Sequence, residues 1–138
     1  MKRLFHLFFL ALLCNVAFSQ IADSLKYADS ISNVGLSLFK LGDYNSALPY
    51  FEEAILIQKE KSGENNIDYT KTLNRLACTY ESLGDYNKAL KHFLQLMVIR
   101  KNLLGENDPK YAQTLNNIGV VYRAMGKYAQ SIEYFIKT

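Results

Sequence analysis

Apolar residues in the middle of the chain fall at helical spacing. Leu73, Leu76, Ala77 and Tyr80 stand at i, i+3, i+4 and i+7, one stripe of an amphipathic helix. Leu83-Gly84-Asp85 breaks the stripe, with Gly84 free to take positive φ at the helix end. Tyr86, Ala89, Leu90, Phe93, Leu94, Met97 and Val98 then repeat the spacing on a second helix, whose apolar run ends near Leu103-Leu104. Gly105-Glu106-Asn107-Asp108-Pro109 reads as a loop: Asp108 is placed to cap the next helix and Pro109 suits its first turn. No segment alternates apolar and polar positions for long, so strands are not predicted.

The same layout occurs three times. Gly42-Asp43-Tyr44, Gly84-Asp85-Tyr86 and Gly126-Lys127-Tyr128 follow one another at intervals of 42 residues. At the same interval, Ser30–Gly35 aligns with Thr72–Ala77 and with Thr114–Gly119, and Gly63-Glu64-Asn65 aligns with Gly105-Glu106-Asn107. A fixed period of this size means stacked supersecondary units that share a core with their neighbours. Each unit reads as a helical hairpin. Gly35, Ala77 and Gly119 put a small residue in the first helix, and Ala47, Ala89 and Ser131 put one in the second. Two backbones can approach closely there, while Phe51, Phe93 and Phe135 fill the adjoining space and Tyr44, Tyr86 and Tyr128 pack over the turns.

The spacing Leu/Ile-x2-Leu/Ile-Gly/Ala-x2-Tyr, then Gly-x-Tyr-x2-Ala-x3-Phe, resembles the tetratricopeptide repeat (TPR). The long period, with Leu104-Gly105-Glu106-Asn107-Asp108-Pro109 ahead of Thr114-Leu115-Asn116-Asn117, resembles the variant found in kinesin light chains and in many bacterial sensor and CHAT-protease proteins. Leu38 in place of a tyrosine and Ser131 in place of an alanine are the departures. The resemblance implies an all-α fold: a right-handed α-solenoid of three antiparallel helical hairpins over residues 20–138. The repeats fall at about 26–65, 68–107 and 110–138, the last incomplete.

The first residues form a separate unit. Lys2 and Arg3 precede an almost continuous apolar run from Leu4 to Leu13, and Ala17-Phe18-Ser19 offers small residues where a signal peptidase reads. Residues 1–19 are therefore expected to be a secretory signal peptide cleaved between Ser19 and Gln20, which places the mature chain in the periplasm or outside the cell. The Phe18-Ser19-Gln20 ending resembles export signals of Bacteroidetes-type bacteria. The apolar run is well short of the roughly 20 residues that span a bilayer. An uncleaved anchor is one alternative. A lipoprotein signal at Cys14 is another, although Leu13 stands where such a signal needs a small residue. Lys2 and Arg3 supply two of the net +3 charges, so the chain from Gln20 onward carries +1, too balanced for a reader of nucleic acid or of an anionic membrane. Loss of Cys14 leaves Cys78 alone, so no intrachain disulfide forms.

In a solenoid of this kind, the resemblance places ligand contacts on the concave face lined by the first helices. The candidates there are Asn33, Lys71, Asn74, Arg75, Gln113, Asn116, Asn117 and Arg123. A ladder of amides carries donors and acceptors that match the main chain of an extended peptide, and the Arg75 fork, with Lys71, suits a carboxylate. The same side chains can instead bond the neighbouring hairpin or water. Signs are mixed, with Asp29 and Glu81 against Lys71, Arg75 and Arg123, so neither acidic nor basic ligands are favoured.

No catalytic, cofactor or metal constellation emerges. Past the leader, His92 is the one histidine and aligns with Tyr50 and Tyr134, a packing position. Cys78 aligns with Leu36 and Val120, and a lone Cys and His make neither a zinc site nor a triad. The glycines lie at turns and form no phosphate-binding loop. The expected function is non-catalytic binding of a protein or extended peptide. The third repeat stops short, and Ile132, Phe135 and Ile136 are left for a further segment, a partner or a second copy. The chain thus reads as the front of a longer protein: a scaffold or, alternatively, the sensory region of a histidine kinase or transcriptional regulator, or the recognition region of a CHAT-type peptidase.

Overall fold

A computed structural model describes the backbone of residues 2–138 and the side chains of residues 15–138. It contains six helices: α1 (Lys2–Lys40), α2 (Tyr44–Ser62), α3 (Ile67–Ser82), α4 (Tyr86–Leu104), α5 (Pro109–Ala124) and α6 (Tyr128–Ile136). No strand occurs among the described residues. The helices pair as α1–α2, α3–α4 and α5–α6, and α3 and α5 pack in turn on α2 and α4.

The hairpin turn is built the same way three times. Gly42, Gly84 and Gly126 take φ of 80°, 78° and 74°, the left-handed region that costs glycine least. The next residue closes the loop: Asp43 N–H donates to Leu38 O at 3.0 Å, Asp85 N–H to Tyr80 O at 2.9 Å, and Lys127 N–H to Tyr122 O at 2.9 Å. The aspartates also begin the second helix, since Asp43 Oδ1 accepts from Ser46 N and Asp85 Oδ1 from Lys88 N, each at 3.1 Å. Lys127 supplies no side-chain cap. Between hairpins, Asp108 Oδ1 accepts from Lys110 N at 2.7 Å and Pro109 opens α5, as expected from the sequence.

One apolar cluster runs through the hairpins and includes Ala47, Phe51, Leu73, Ala77, Ala89, Phe93, Leu96 and Ile118. Phe51 and Phe93 are fully buried, whereas Phe135 is half-buried. Ser131, which departs from the alanine pattern, is buried and donates to Gly119 O at 2.8 Å. That bond satisfies the hydroxyl and ties α6 to α5 where the helices cross closely. Tyr44 and Tyr86 cover their turns as half-buried rings, but Tyr128 is exposed. The difference has a physical cause, for α3 lies over the second helix of the first hairpin and α5 over that of the second, while no helix among the described residues lies over α6.

The expected leader falls mostly on residues 1–14, whose side chains lie outside the described residues. Asn15 through Asp23 are exposed. Among the described residues no helix is long and apolar enough to cross a membrane.

Candidate functional site

The first helices α1, α3 and α5 carry the candidate residues in register. Between α1 and α3 lies a cavity of about 160 Å³, lined by Asp29, Asn33, Asp68, Lys71, Thr72 and Arg75 among others. Its floor is an inter-repeat junction. Arg75 Nη1 donates to Ser32 Oγ at 2.8 Å, and to Ser32 O and Asn33 Oδ1 at 3.3 Å. Ser32 Oγ lies 3.3 Å from Thr72 Oγ1. Burial lowers the Arg75 pKa, opposed by the nearby Asp29 carboxylate. Lys71 pairs with Asp68 at 2.8 Å, an exposed pair of small energetic weight.

The candidates therefore fall into two sets. Asn33, Lys71 and Arg75 come together at the first junction, where each already has one polar atom bonded within the protein. Asn74 lies deeper, half-buried, with its amide N–H 3.8 Å from Cys78 Sγ and its Oδ1 buried without a partner. At the second junction, Gln113, Asn116 and Arg123 are exposed and Asn117 is half-buried. Among the described residues none of these four makes a side-chain hydrogen bond. Ser32, aligned with Asn74 and Asn116, is buried and belongs to the junction rather than to the surface.

Three contributors were not evident from the sequence. Asp68 lines the cavity from the first turn of α3. Gln58 and Arg100 occupy one repeat position and are 2% and 4% exposed. Gln58 Nε2 reaches back to Asp29 Oδ1 at 3.1 Å. Arg100 Nη1 reaches forward to Lys110 O at 2.8 Å and Thr114 Oγ1 at 2.9 Å, which binds α4 to the following hairpin. The available signal was a polar residue at one position of an otherwise apolar stripe in successive repeats.

Cys78 and His92 occupy packing positions. Burial and the neighbouring Glu81 push the Cys78 thiol up to about 11, so it carries little thiolate at neutral pH. His92 stacks on Tyr80 with ring centroids 5.6 Å apart. Tyr80 donates its hydroxyl to Glu52 Oε1 at 2.5 Å, and burial ahead of that contact pushes it up to about 12. Burial, then the Lys91 ammonium, lowers the His92 pKa against smaller opposing effects of Gln95 and Glu52. The folded chain thus binds this proton less readily than the unfolded chain does. The stability that His92 contributes is complete above about pH 6.5 and is lost as pH falls through its folded pKa. Replacing His92 by Tyr, the residue at the other two repeat positions, should flatten the acid limb of the stability curve. Urea midpoints at about pH 7 and about pH 5 test this; an equal drop in both proteins would contradict it.

With this geometry in place the relationship is direct. The sequence profile of the tetratricopeptide repeat matches residues 26–97 and again 81–138. The chain belongs to the tetratricopeptide repeat family. Its TPR hairpins superpose on BtubC (BKLC) of P. vanneervenii with a TM-score of 0.73 at 27% identity, covering 80% of this chain and 44% of that one. The TPR domain of Arabidopsis FLU gives the same TM-score at 14% identity and covers 82% and 92%. A putative kinesin light chain with nearly identical TPR-like repeats from Podosopora anserina also gives 0.73, at 17% identity, covering 82% and 54%. The repeats are thus of the kinesin-light-chain-like kind, and the chain spans less than half of the BtubC structure. No curated protein matches the chain.

Proposed function

We propose that this TPR chain is an exported, non-catalytic scaffold that holds an extended peptide or protein segment along the face of its first helices. A tetratricopeptide fold points to a protein–protein interaction scaffold. The observation that carries the finer reading is the contrast between junctions: Arg75 and Asn33 bond to the protein itself, whereas Gln113, Asn116, Asn117 and Arg123 present unused donors and acceptors on adjoining turns of α5. Main-chain recognition is then centred on the third repeat, and the first junction acts as its rigid support. The test is selection of displayed random peptides on the chain. Selected peptides should bind about tenfold more weakly to Asn117→Ala and to Arg123→Ala, with thermal unfolding unchanged; affinities indifferent to both substitutions would refute the assignment.

Export is supported by the charged start, the apolar run and the small residues before Gln20. Exposure of Asn15 through Asp23 is compatible with cleavage after Ser19, because no core contact is cut there. Mass spectrometry of chain recovered outside the cytoplasm should find Gln20 at its start; a retained Met1 would argue for an anchor instead. Self-association through α6 belongs to the same proposal, supported by Ile132 and Ile136 at 58% and 79% exposure.

A further inference from the structure

The two inter-repeat junctions differ in what fills them. At the second, Arg100 reaches forward from α4 to Lys110 O and Thr114 Oγ1. At the first, its counterpart Gln58 is a shorter side chain and turns back to Asp29 Oδ1 at 3.1 Å. Asp68 and Thr72, the counterparts of Lys110 and Thr114, line the cavity between α1 and α3 instead. Its volume of about 160 Å³ is that of about five water molecules.

Charge separates the junctions as well. The cavity carries Asp29 and Asp68 against Lys71 and Arg75, two charges of each sign. At the second junction the places of Asp29, Asp68 and Arg75 are taken by Lys71, Lys110 and Asn117, and no carboxylate remains at these positions. Within the cavity the charges are not all paired. Lys71 and Asp68 neutralise each other at 2.8 Å. The Asp29 carboxylate is near enough to act on the Arg75 charge, yet no ion pair joins the two among the described residues. Arg75 bonds through Nη1 alone, to Ser32 and Asn33. Those bonds fix the guanidinium and leave its Nε–Nη2 edge without a partner among the described residues. A planar edge of this kind fits a carboxylate bidentately. Asp29 is likewise held through Oδ1 by the buried Gln58.

We propose that this cavity binds a free α-amino acid with a small side chain. The ligand's carboxylate takes the open edge of Arg75, and its ammonium takes the second oxygen of Asp29. An α-amino acid carries both groups on one carbon and is neutral overall, as the set of four charges is. A lone anion would face Asp29 and a lone cation would face Arg75, so the site discriminates against each. It lies at the first junction, apart from the α5 side chains on which the peptide reading rests.

L-Alanine is the probe, titrated into the full chain by isothermal calorimetry at fixed salt. It should saturate one site with Kd below about 1 mM. N-acetyl-L-alanine, which lacks the ammonium, and L-alaninamide, which lacks the carboxylate, should each bind at least about tenfold more weakly. L-Alanine should lose at least about tenfold in affinity on Arg75→Gln and on Asp29→Asn, substitutions that keep polar atoms for Ser32 and Gln58. Cooperative thermal unfolding checks that both chains are folded, and the two analogues decide the question on the unsubstituted chain if either is not. Asn117→Ala should leave alanine binding unchanged. A Kd above about 1 mM, undiminished binding of either analogue, or an equal loss on Asn117→Ala would overturn the proposal. The peptide reading is tested with other ligands on Asn117 and Arg123, so it stands or falls separately.

Discussion

Phe93→Ala should lower the unfolding free energy by about 3–5 kcal/mol. Phe93 is fully buried in the central hairpin and belongs to the cluster that joins Leu73 and Ala77 of α3 to Ile118 and Val121 of α5. Truncation leaves a void between helices held apart by other side chains, so the lost transfer energy is joined by a cavity cost. Connectivity raises the stakes. In a repeat array stability is a sum of unit and nearest-neighbour terms, and the central unit takes part in both neighbour terms. Phe135→Ala, at the equivalent position but half-buried, should cost clearly less. Urea unfolding of the two variants side by side measures the difference; equal losses would mean that the central hairpin is not the keystone of the array.

Gly35→Leu should cost about 1–3 kcal/mol by overpacking. A Cβ added at Gly35 would lie 3.0 Å from Phe51 Cε1 and 3.1 Å from Tyr50 Cβ. Phe51 is fully buried and Tyr50 Cβ is fixed to the backbone of α2, so neither yields to a branched side chain. Gly35→Ala is the informative control. Ala77 holds the equivalent place beside Phe93, and alanine gains about 1 kcal/mol over glycine in a helix interior, which offsets a shift of a few tenths of an ångström. Near-neutral alanine and destabilising leucine are the expected pair in thermal unfolding. Two equally destabilising substitutions would mean that the α1–α2 crossing cannot accommodate even the alanine that the α3–α4 crossing carries.

The elements and their order are legible in the residues alone, because they rest on local causes. Helical periodicity, the glycine that takes positive φ after each first helix, and Asp108-Pro109 before α5 act over a few residues, and the 42-residue recurrence multiplies each signal by its copies. Close approach at Gly35, Ala77 and Gly119 was legible for the same reason. The structure then showed a second role for Asp43 and Asp85, each capping the helix that follows its turn, which residue type and position also permit.

Which of the polar side chains on the first helices already have partners follows from how the hairpins pack on one another. Asn33, Arg75 and Asn117 are equivalent in the repeat, yet Asn33 and Arg75 bond across α1 and α3 while the Asn117 side chain makes no hydrogen bond among the described residues. Pairing of that kind depends on the neighbour one repeat away and on side-chain reach, and the periodicity of one helix carries neither. Gln58 and Arg100 make the point again: they share a repeat position, but one turns back to Asp29 and the other forward to Lys110 and Thr114. Tyr69 is buried and Tyr111, at the same repeat position, is half-buried; this contrast is also tertiary, since the two tyrosines differ in the surface that neighbouring helices remove from water and hardly at all in local sequence.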